Sequence, residues 1–174
     1  MTIWDADSPF ADAYLERNKD AGKDRWPFWR NLQQQFPFSS LLEVGCGSGN
    51  NLQWIVNRKA GIDVNEKALG VAFQRVPTAQ LRIASVTNIL FPDRSFECVL
   101  SCGVLIHVPS VDLPKAMDEM WRVSAKYLLV MEYHASNETM MEWRGRMNAL
   151  WKRPYDALFP ARFALDNVAR GFLG

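Results

Sequence analysis

The chain has 174 residues, 48% hydrophobic and 22% charged, with a formal net charge of +1. That size and balance suit one globular domain with a substantial core and exclude a disordered chain. The near-neutral charge argues against a nucleic-acid backbone as the main partner, which would require a basic excess.

Three cysteines, Cys46, Cys98 and Cys102, are too few and too odd for a disulfide framework. No CxxC pair accompanies the two histidines, so no metal is expected. No apolar run reaches the roughly 18 residues of a membrane span. The start, MTIWDADSPF, lacks the basic end and apolar stretch of a signal peptide. No membrane and a reducing cytoplasm are therefore expected.

Residues 1–9 read as a polar lead-in with one tryptophan. Phe10 to Asp20 has helical spacing through Phe10, Ala13, Tyr14 and Arg17. A second helix is predicted from Asp24 to Gln35, apolar along Trp26, Trp29, Leu32 and Phe36. Asp24 would cap it, Pro27 suits its first turn, and Pro37 ends it. These helices, residues 1–37, are expected to lie over the ligand end of a sheet as a lid.

The strongest pattern is LLEVGCGSGNNLQWIVNRKAGID, residues 41–63. Leu41 to Val44 is a buried strand. Gly45, Gly47 and Gly49 then make a turn. Asn50 to Asn57 has helical spacing with Leu52, Ile55 and Val56 on one side, and a short strand ends at Asp63. Strand, glycine turn, helix start and acid-tipped strand form a holder for a nucleoside cofactor. Glycines let the backbone approach, the helix start offers free N–H groups, and the acid takes both ribose hydroxyls.

NEKALGVAFQRV reads as a helix closed by Pro77. QLRIA, residues 80–84, is a third strand, and SVTNILFPDRSF is a loop with Pro92-Asp93 turn chemistry. ECVLS, residues 97–101, is a fourth strand. Val111 to Val123 is an amphipathic helix with Leu113, Ala116, Met117, Met120 and Trp121, and residues 126–132 are a fifth strand. This alternation predicts an α/β fold, a three-layer Rossmann-like sheet, mostly parallel. HASNETMMEWRGRMNALWKRPYDALF reads as a helix or a structured loop. ARFALDNVARGFLG offers one or two short strands at most, a shortened C-terminal strand region. The expected division is lid helices at 1–37, a cofactor-binding core at 38–132, and an acceptor-side segment with a terminal strand at 133–174. The apolar ending leaves three readings open: a natural end, a truncation, or completion by a partner chain, as in a homodimer.

Ligands bind beyond the C-terminal strand ends of such sheets. Those ends are Glu43 to Gly49, Asp63, Ser85 to Val86, Ser101 to His107, and Glu132 to His134. The turn is GxGxG, with Asn50 where the dinucleotide fingerprint has its third glycine, which disfavours a nicotinamide-dependent oxidoreductase. Asp63 reads as the ribose acid and Glu43 as a cofactor contact. Cys46 reads as a small filler, and Cys98 and Cys102 as facing the core side of strand four. His107 follows a buried apolar run and lies where an acceptor would be. It is either a hydrogen-bonded structural residue or a base, and Glu132 and His134 carry the same question. Arg144, Arg146, Lys152, Arg153, Arg162 and Arg170 outnumber Glu142, Asp156 and Asp166 after residue 141. That is either a solvated face or a set of forks for an anionic acceptor.

LLEVGCGSG, the acid of GIDVNEKAL, FPDRSFECVLSCGVLIHV and the strand-five context, in this order, resemble the class I S-adenosylmethionine-dependent methyltransferases over about residues 40–132. The resemblance implies S-adenosyl-L-methionine as cofactor, S-adenosyl-L-homocysteine as product, and methyl transfer to an acceptor oxygen or nitrogen. It implies that Glu43, Gly45, Cys46, Gly47 and Gly49 cradle the methionine and ribose side, and that Asp63 holds the ribose. Val64 would pack on the adenine. Ser85 stands where many members carry an Asp for the adenine amine, a departure that keeps a hydroxyl but no charge, and Val86 follows it. Cys102 and Gly103 would flank the methionine.

YLERN, GVLIHV, MEYH, WRG and LWKR further resemble the pseudaminic-acid-biosynthesis-associated methylases. That resemblance implies Tyr14, Arg17 and Asn18 over the methionine end. It implies Tyr133, Arg144, Trp151, Lys152 and Arg153 around a small, anionic, sugar-like acceptor, with His134 beside them. Pro154 stands where that family continues with Asp, so Asp156 takes that role or the pocket differs. A hydroxyl acceptor would need a base, and His107 is the first candidate, ahead of Glu132. A cofactor-binding module without catalysis also stays open.

Overall fold

The computed structural model describes residues 4, 9–18, 24–166, 169 and 171. Strands β1 (Ser40–Val44), β2 (Arg58–Asp63), β3 (Gln80–Ile83), β4 (Phe96–Cys102) and β5 (Ser124–Met131) form one parallel sheet. Their order is β3-β2-β1-β4-β5, so the direction of winding reverses between β1 and β4. Ligands bind at that reversal in open parallel sheets. Around the sheet are α1 (Pro9–Asn18), α2 (Trp26–Gln35), α3 (Glu66–Arg75), α4 (Leu113–Val123) and α5 (Tyr155–Arg162).

Strand β1 is buried along its whole length, Glu43 included, which explains why its pattern does not alternate. Leu42 and Val44 point into one core with Val99, Met117, Met120 and Phe159. Leu41 points into the other, with Trp29, Leu52, Leu69 and Leu100. Trp29 is completely buried there. Helix α2 therefore packs into the core on one face of the sheet through Trp29, while Phe28 and Leu32 also line the cleft. Truncating a buried tryptophan costs about 3–5 kcal/mol.

Helix starts differ from the expected pattern in one case. Helix α2 begins behind Arg25 with no side-chain cap, so Asp24 caps nothing, and Pro27 supplies the start signal. Helix α3 is capped as its sequence suggests, with Asn65 Oδ1 accepting the Ala68 N–H at 3.1 Å.

The helix expected over 50–57 is only a 3-10 turn, Leu52–Trp54, and Val56 is exposed. The register pairs Ser40 with Arg58, so the chain must return along the whole of β1. A five-residue strand spans about 16 Å, more than an eight-residue helix covers at about 1.5 Å per residue. The link is therefore extended by Ile55.

The stretch after β5 is also different. It is neither helix nor loop but a hairpin of β6 (Thr139–Trp143) and β7 (Arg146–Lys152), a two-stranded antiparallel sheet apart from the main one. Its tip is Arg144-Gly145, both left-handed at φ 52° and 75°. Two-residue hairpin loops need that geometry, but usually take Asn-Gly to make it. A register shift between Met141 and Trp143, facing Asn148 at φ 56°, breaks the alternation that would have shown the strands. Helix α5 occupies Ala161 and Arg162, and Phe163 to Asp166 form no strand. The rest of the terminal strand expectation lies outside the described residues, as do most of the lead-in and residues 19–20. Among the described residues, no helix is long and apolar enough to cross a membrane.

Candidate functional site

A cleft of about 2410 Å³ opens across the C-terminal strand ends and the edge of β5. Its first wall is the glycine turn. A Cβ on Gly45, at φ 63°, would lie 2.3 Å from Val104 Cγ2, and one on Gly47, at φ 52°, would lie 2.3 Å from the Tyr14 hydroxyl. The turn is thus glycine so that the loop after β4 and helix α1 can close against it. Gly49 meets Ala72 and Val76 at 3.3 Å, so it seats α3 and does not cradle a ligand. Gly45 and Cys46 line the cleft, whereas Gly47 and Gly49 are buried.

Asp63 closes this turn from the end of β2. Its Oδ2 accepts the Gly47 N–H and its Oδ1 accepts the Asn65 N–H, both at 2.8 Å. Those bonds aim the carboxylate, and each oxygen keeps a second lone pair. Burial raises its pKa, and the backbone bonds oppose that.

Glu43 is 2% exposed at the end of β1. Its Oε1 accepts Asn51 Nδ2 at 2.6 Å, and Arg25 donates to Asn51 Oδ1 at 2.8 Å. Its Oε2 is buried without a partner. Burial pushes this carboxyl up to about 8, against the Asn51 bond. An orphaned acid oxygen in a cleft wall, beside a second acid aimed by backbone N–H groups, fits a ligand that brings an ammonium and a pair of hydroxyls. The amino end and ribose of S-adenosylmethionine are such groups.

Val64 and Val86 line the next part of the cleft. Ser85 also lines it, but its hydroxyl accepts the Thr87 N–H at 3.2 Å and lies 2.9 Å from Thr87 Oγ1, so it closes a local turn as well. Cys102 and Gly103 line the cleft at the end of β4, with Gly103 N–H donating to Met131 O at 3.0 Å. Cys98 lies in the core, while Cys102 packs on that core and also reaches the cleft, a correction to its core-facing reading. Burial pushes Cys98 up to about 12 and Cys102 up to about 11, and raises Cys46 well above the usual thiol value. None of them is a nucleophile near neutral pH.

Helix α1 is latched over the turn. Asn50 Nδ2 donates to Asn18 O at 3.0 Å, and Asn18 Nδ2 donates to Tyr14 O at 2.9 Å. Burial holds the Tyr14 phenol well above its usual range. Arg17 points elsewhere, with its guanidinium 5.9 Å from the Trp143 ring centre on the hairpin.

The opposite wall carries His107. Its Nδ1 is 2.6 Å from the Ala149 carbonyl. A carbonyl only accepts, so Nδ1 carries the proton and Nε2 keeps its lone pair. Burial holds the ring below the usual histidine range, which favours the neutral form. The rings of Trp4 and Trp143 lie at 4.7 Å and 4.9 Å from it.

His107 ends a 3-10 turn, Leu105–His107, that is gripped at both ends. Glu132 accepts the N–H groups of Val104, Leu105 and Ile106 at 3.0, 3.1 and 3.3 Å, and also the Ser101 hydroxyl. Arg153 donates to Leu105 O at 2.8 Å, Val108 O at 2.9 Å and Glu138 at 2.6 Å. An anion at the N–H end and a cation at the carbonyl end match the turn's dipole. Two expectations are corrected here. Glu132 is an anchor whose oxygens are taken, not a base. Arg153 is completely buried and Trp151 is 8% exposed, so neither meets an acceptor.

The other basic residues divide as well. Arg162 pairs with Asp118 at 2.6 and 2.7 Å. His134 Nε2 lies 3.1 Å from Asp156, which joins the strand-five exit to α5. Tyr133, Arg144 and Lys152 line the cleft. Nothing in the residue pattern pointed to the Ala149 carbonyl, to Asn51 behind Glu43, or to Trp4 beside His107. A lone tryptophan in a polar lead-in is the only trace of the last.

Residues 42–127 match a family model described as a methyltransferase domain. A Mus musculus protein named Probable tRNA methyltransferase 9B is 31% identical over 111 residues, 61% of this chain and 24% of its own length. Its Bos taurus counterpart is 30% identical over 109 residues, 60% of this chain and 23% of its own. The chain thus spans about a quarter of the length of these curated relatives. Among solved structures, a SAM-dependent methyltransferase from Aquifex aeolicus aligns with TM-score 0.60 and 17% identity, over 70% of this chain and 72% of that one. A SAM-bound amino pentose methyltransferase from Micromonospora echinaspora, involved in calicheamicin biosynthesis, aligns with TM-score 0.59 and 18% identity, over 79% and 65%. Residues 42–127 thus match a methyltransferase-domain model, and the fold is that of class I methyltransferases.

Proposed function

We propose that this chain transfers a methyl group from S-adenosylmethionine to an oxygen or nitrogen of a small, anionic, sugar-like acceptor. One observation carries the cofactor half. Glu43 presents a buried, unpartnered carboxyl oxygen to the cleft, next to the aimed carboxylate of Asp63. When bound, the cofactor supplies a sulfonium-activated methyl group. Glu43 and Asp63 would bind its amino and ribose ends, with Val64 and Val86 against the adenine. Ser85 would meet the adenine edge without charge.

On the acceptor side, His107 Nε2 takes the proton of an attacking hydroxyl. The Ala149 carbonyl fixes the tautomer that leaves this nitrogen basic. Glu132 and Arg153 hold the turn so that the ring does not drift, and Trp4 and Trp143 shield it from water. Alignment and exclusion of water are the main tasks when the electrophile is already activated. A sugar-like acceptor is supported by the sequence resemblance to sugar-associated methylases and by the amino pentose methyltransferase fold likeness.

A second reading, methylation of tRNA, draws on the names of the curated relatives. The net charge of +1 and the internal pairing of Arg153 and Arg162 speak against it. Calorimetry with S-adenosylmethionine, S-adenosylhomocysteine and NAD tests the cofactor. Binding of NAD alone would overturn the proposal. Labelled methyl uptake onto carboxylated sugars, their nucleotide-activated forms and bulk tRNA then tests the acceptor. Uptake by tRNA alone would replace the sugar reading with the second one.

A further inference from the structure

Two arginines from distant parts of the chain meet at the cleft mouth. Arg17 lies on α1 and Arg144 at the tip of the β6–β7 hairpin. Their guanidinium carbons lie 5.9 and 5.2 Å from the centre of the same ring, Trp143. Both line the cleft. Burial, and after it the nearby Arg144 charge, lowers the pKa of Arg17. Among the described residues, no carboxylate forms an ion pair with either. The other arginines around this wall are used internally: Arg153 holds backbone carbonyls and Arg162 holds Asp118.

The backbone at Arg144 adds a second observation. Its φ is 52°, the left-handed region that Asn or Gly adopts with least strain in such a loop. Strain at a cleft rim points to a side chain that is needed there. The aromatic ring holds two like charges near each other through its negative faces, with no anion from the protein between them.

We infer that Arg17 and Arg144, on the Trp143 platform, form the subsite for the carboxylate or phosphate of the methyl acceptor. This rests on the proposed methyltransferase reading and deepens it. It also moves Arg17 from the cofactor to the acceptor, because its guanidinium faces the hairpin while Tyr14 covers Gly47. Guanidinium forks suit either anion. The two sources differ only in the probe.

The test is calorimetry on the whole chain saturated with S-adenosylhomocysteine. The probes are a carboxylated nine-carbon sugar, its methyl ester, and a hexose 1-phosphate. The variants are Arg17→Gln and Arg144→Asn, the latter keeping a residue suited to the left-handed turn. One anionic probe should bind, and each variant should weaken it at least tenfold. The methyl ester should bind at least tenfold more weakly than the acid if the carboxylate is the source. If only the hexose phosphate binds, and both variants weaken it, phosphate is the source. S-adenosylhomocysteine affinity should stay within twofold in both variants, and Arg144→Asn should raise Tm.

A tenfold loss of S-adenosylhomocysteine binding in Arg17→Gln would overturn the inference by returning Arg17 to the cofactor. So would anionic probes that fail to bind, or that bind both variants as they bind the parent chain, while S-adenosylhomocysteine still binds. Failure of S-adenosylhomocysteine to bind the parent chain would instead bring down the reading beneath it.

Discussion

The two walls of the cleft are built in different ways. The wall proposed for the cofactor is built around a backbone turn. Its turn is shaped by Gly45 and Gly47 and fixed by Asp63 through the Gly47 and Asn65 N–H groups, all within about twenty residues of chain, before Tyr14 and Val104 close against it. The wall proposed for the acceptor is made of side chains drawn from far apart. His107 is positioned by Ala149, 42 residues later, and its turn by Glu132 and Arg153. A local backbone device can be copied from protein to protein as one short motif. A wall assembled from buried charges and a hairpin depends on contacts across the whole chain.

If the division holds, damage to one wall should leave the other working. The largest effect expected is from His107→Asn. Its amide can still donate to the Ala149 carbonyl but has no basic nitrogen at the Nε2 position. With a hydroxyl acceptor, kcat should fall about 10²- to 10⁴-fold, the range for a lost general base. S-adenosylhomocysteine affinity, read by calorimetry, should not move. An unchanged kcat would remove His107 from the chemistry.

Next is Arg153→Met, which removes the side-chain donor of the Val108 carbonyl and one donor each from the Leu105 carbonyl and Glu138, which keep the Val108 N–H and the Ser110 hydroxyl. Breaking a buried pair on one side costs about 3–5 kcal/mol, although Glu138 is partly exposed, which places the expected loss near the lower end. Urea unfolding measures it. Acceptor KM should rise more than cofactor Kd. Equal changes in both would mean that the two walls are not separate.

Asp63→Ala attacks the other wall. Loss of hydrogen bonds to a charged acceptor costs about 1.5–3 kcal/mol each, so S-adenosylhomocysteine affinity should drop at least tenfold. Acceptor KM, measured at saturating cofactor, should stay within twofold. Unaltered cofactor affinity would refute the ribose assignment.

The smallest effect is a pH slope. Burial raises the folded-state pKa of Glu43 from 4.5 to about 8. The folded chain therefore holds this proton more tightly than the unfolded chain. The stability this contributes is full below about pH 4.5 and is lost as pH rises toward about 8. Thermal unfolding across that window should show Tm falling with pH more steeply in the parent chain than in Glu43→Gln. S-adenosylhomocysteine, whose ammonium favours the ionised acid, should flatten the parent slope. Equal slopes in the two proteins would show that Glu43 does not titrate there.

The same contrast explains what could be read in advance. The sheet and the cofactor wall were legible because each rests on short-range pattern. LLEV is buried on both sides, GCGSG bends as written, and Asp63 ends its strand. The 3-10 turn at Leu52–Trp54 was not, since periodicity does not report how far the chain must travel to bring Arg58 beside Ser40. The hairpin was hidden by a bulge at Asn148 and by an Arg where Asn is usual.

By itself, then, the sequence determined the parallel α/β sheet, the glycine turn and the acid at Asp63. Those follow from contacts between neighbours along the chain and from burial pattern. Only the tertiary structure decided which charges are tools and which are supports. Glu132 and Arg153 looked like acceptor chemistry, yet they neutralise the two ends of one buried turn. Arg17 and Arg144 looked unrelated, yet they share one tryptophan. A charge's role is set by the partners that surround it after folding, and those partners lie tens of residues away.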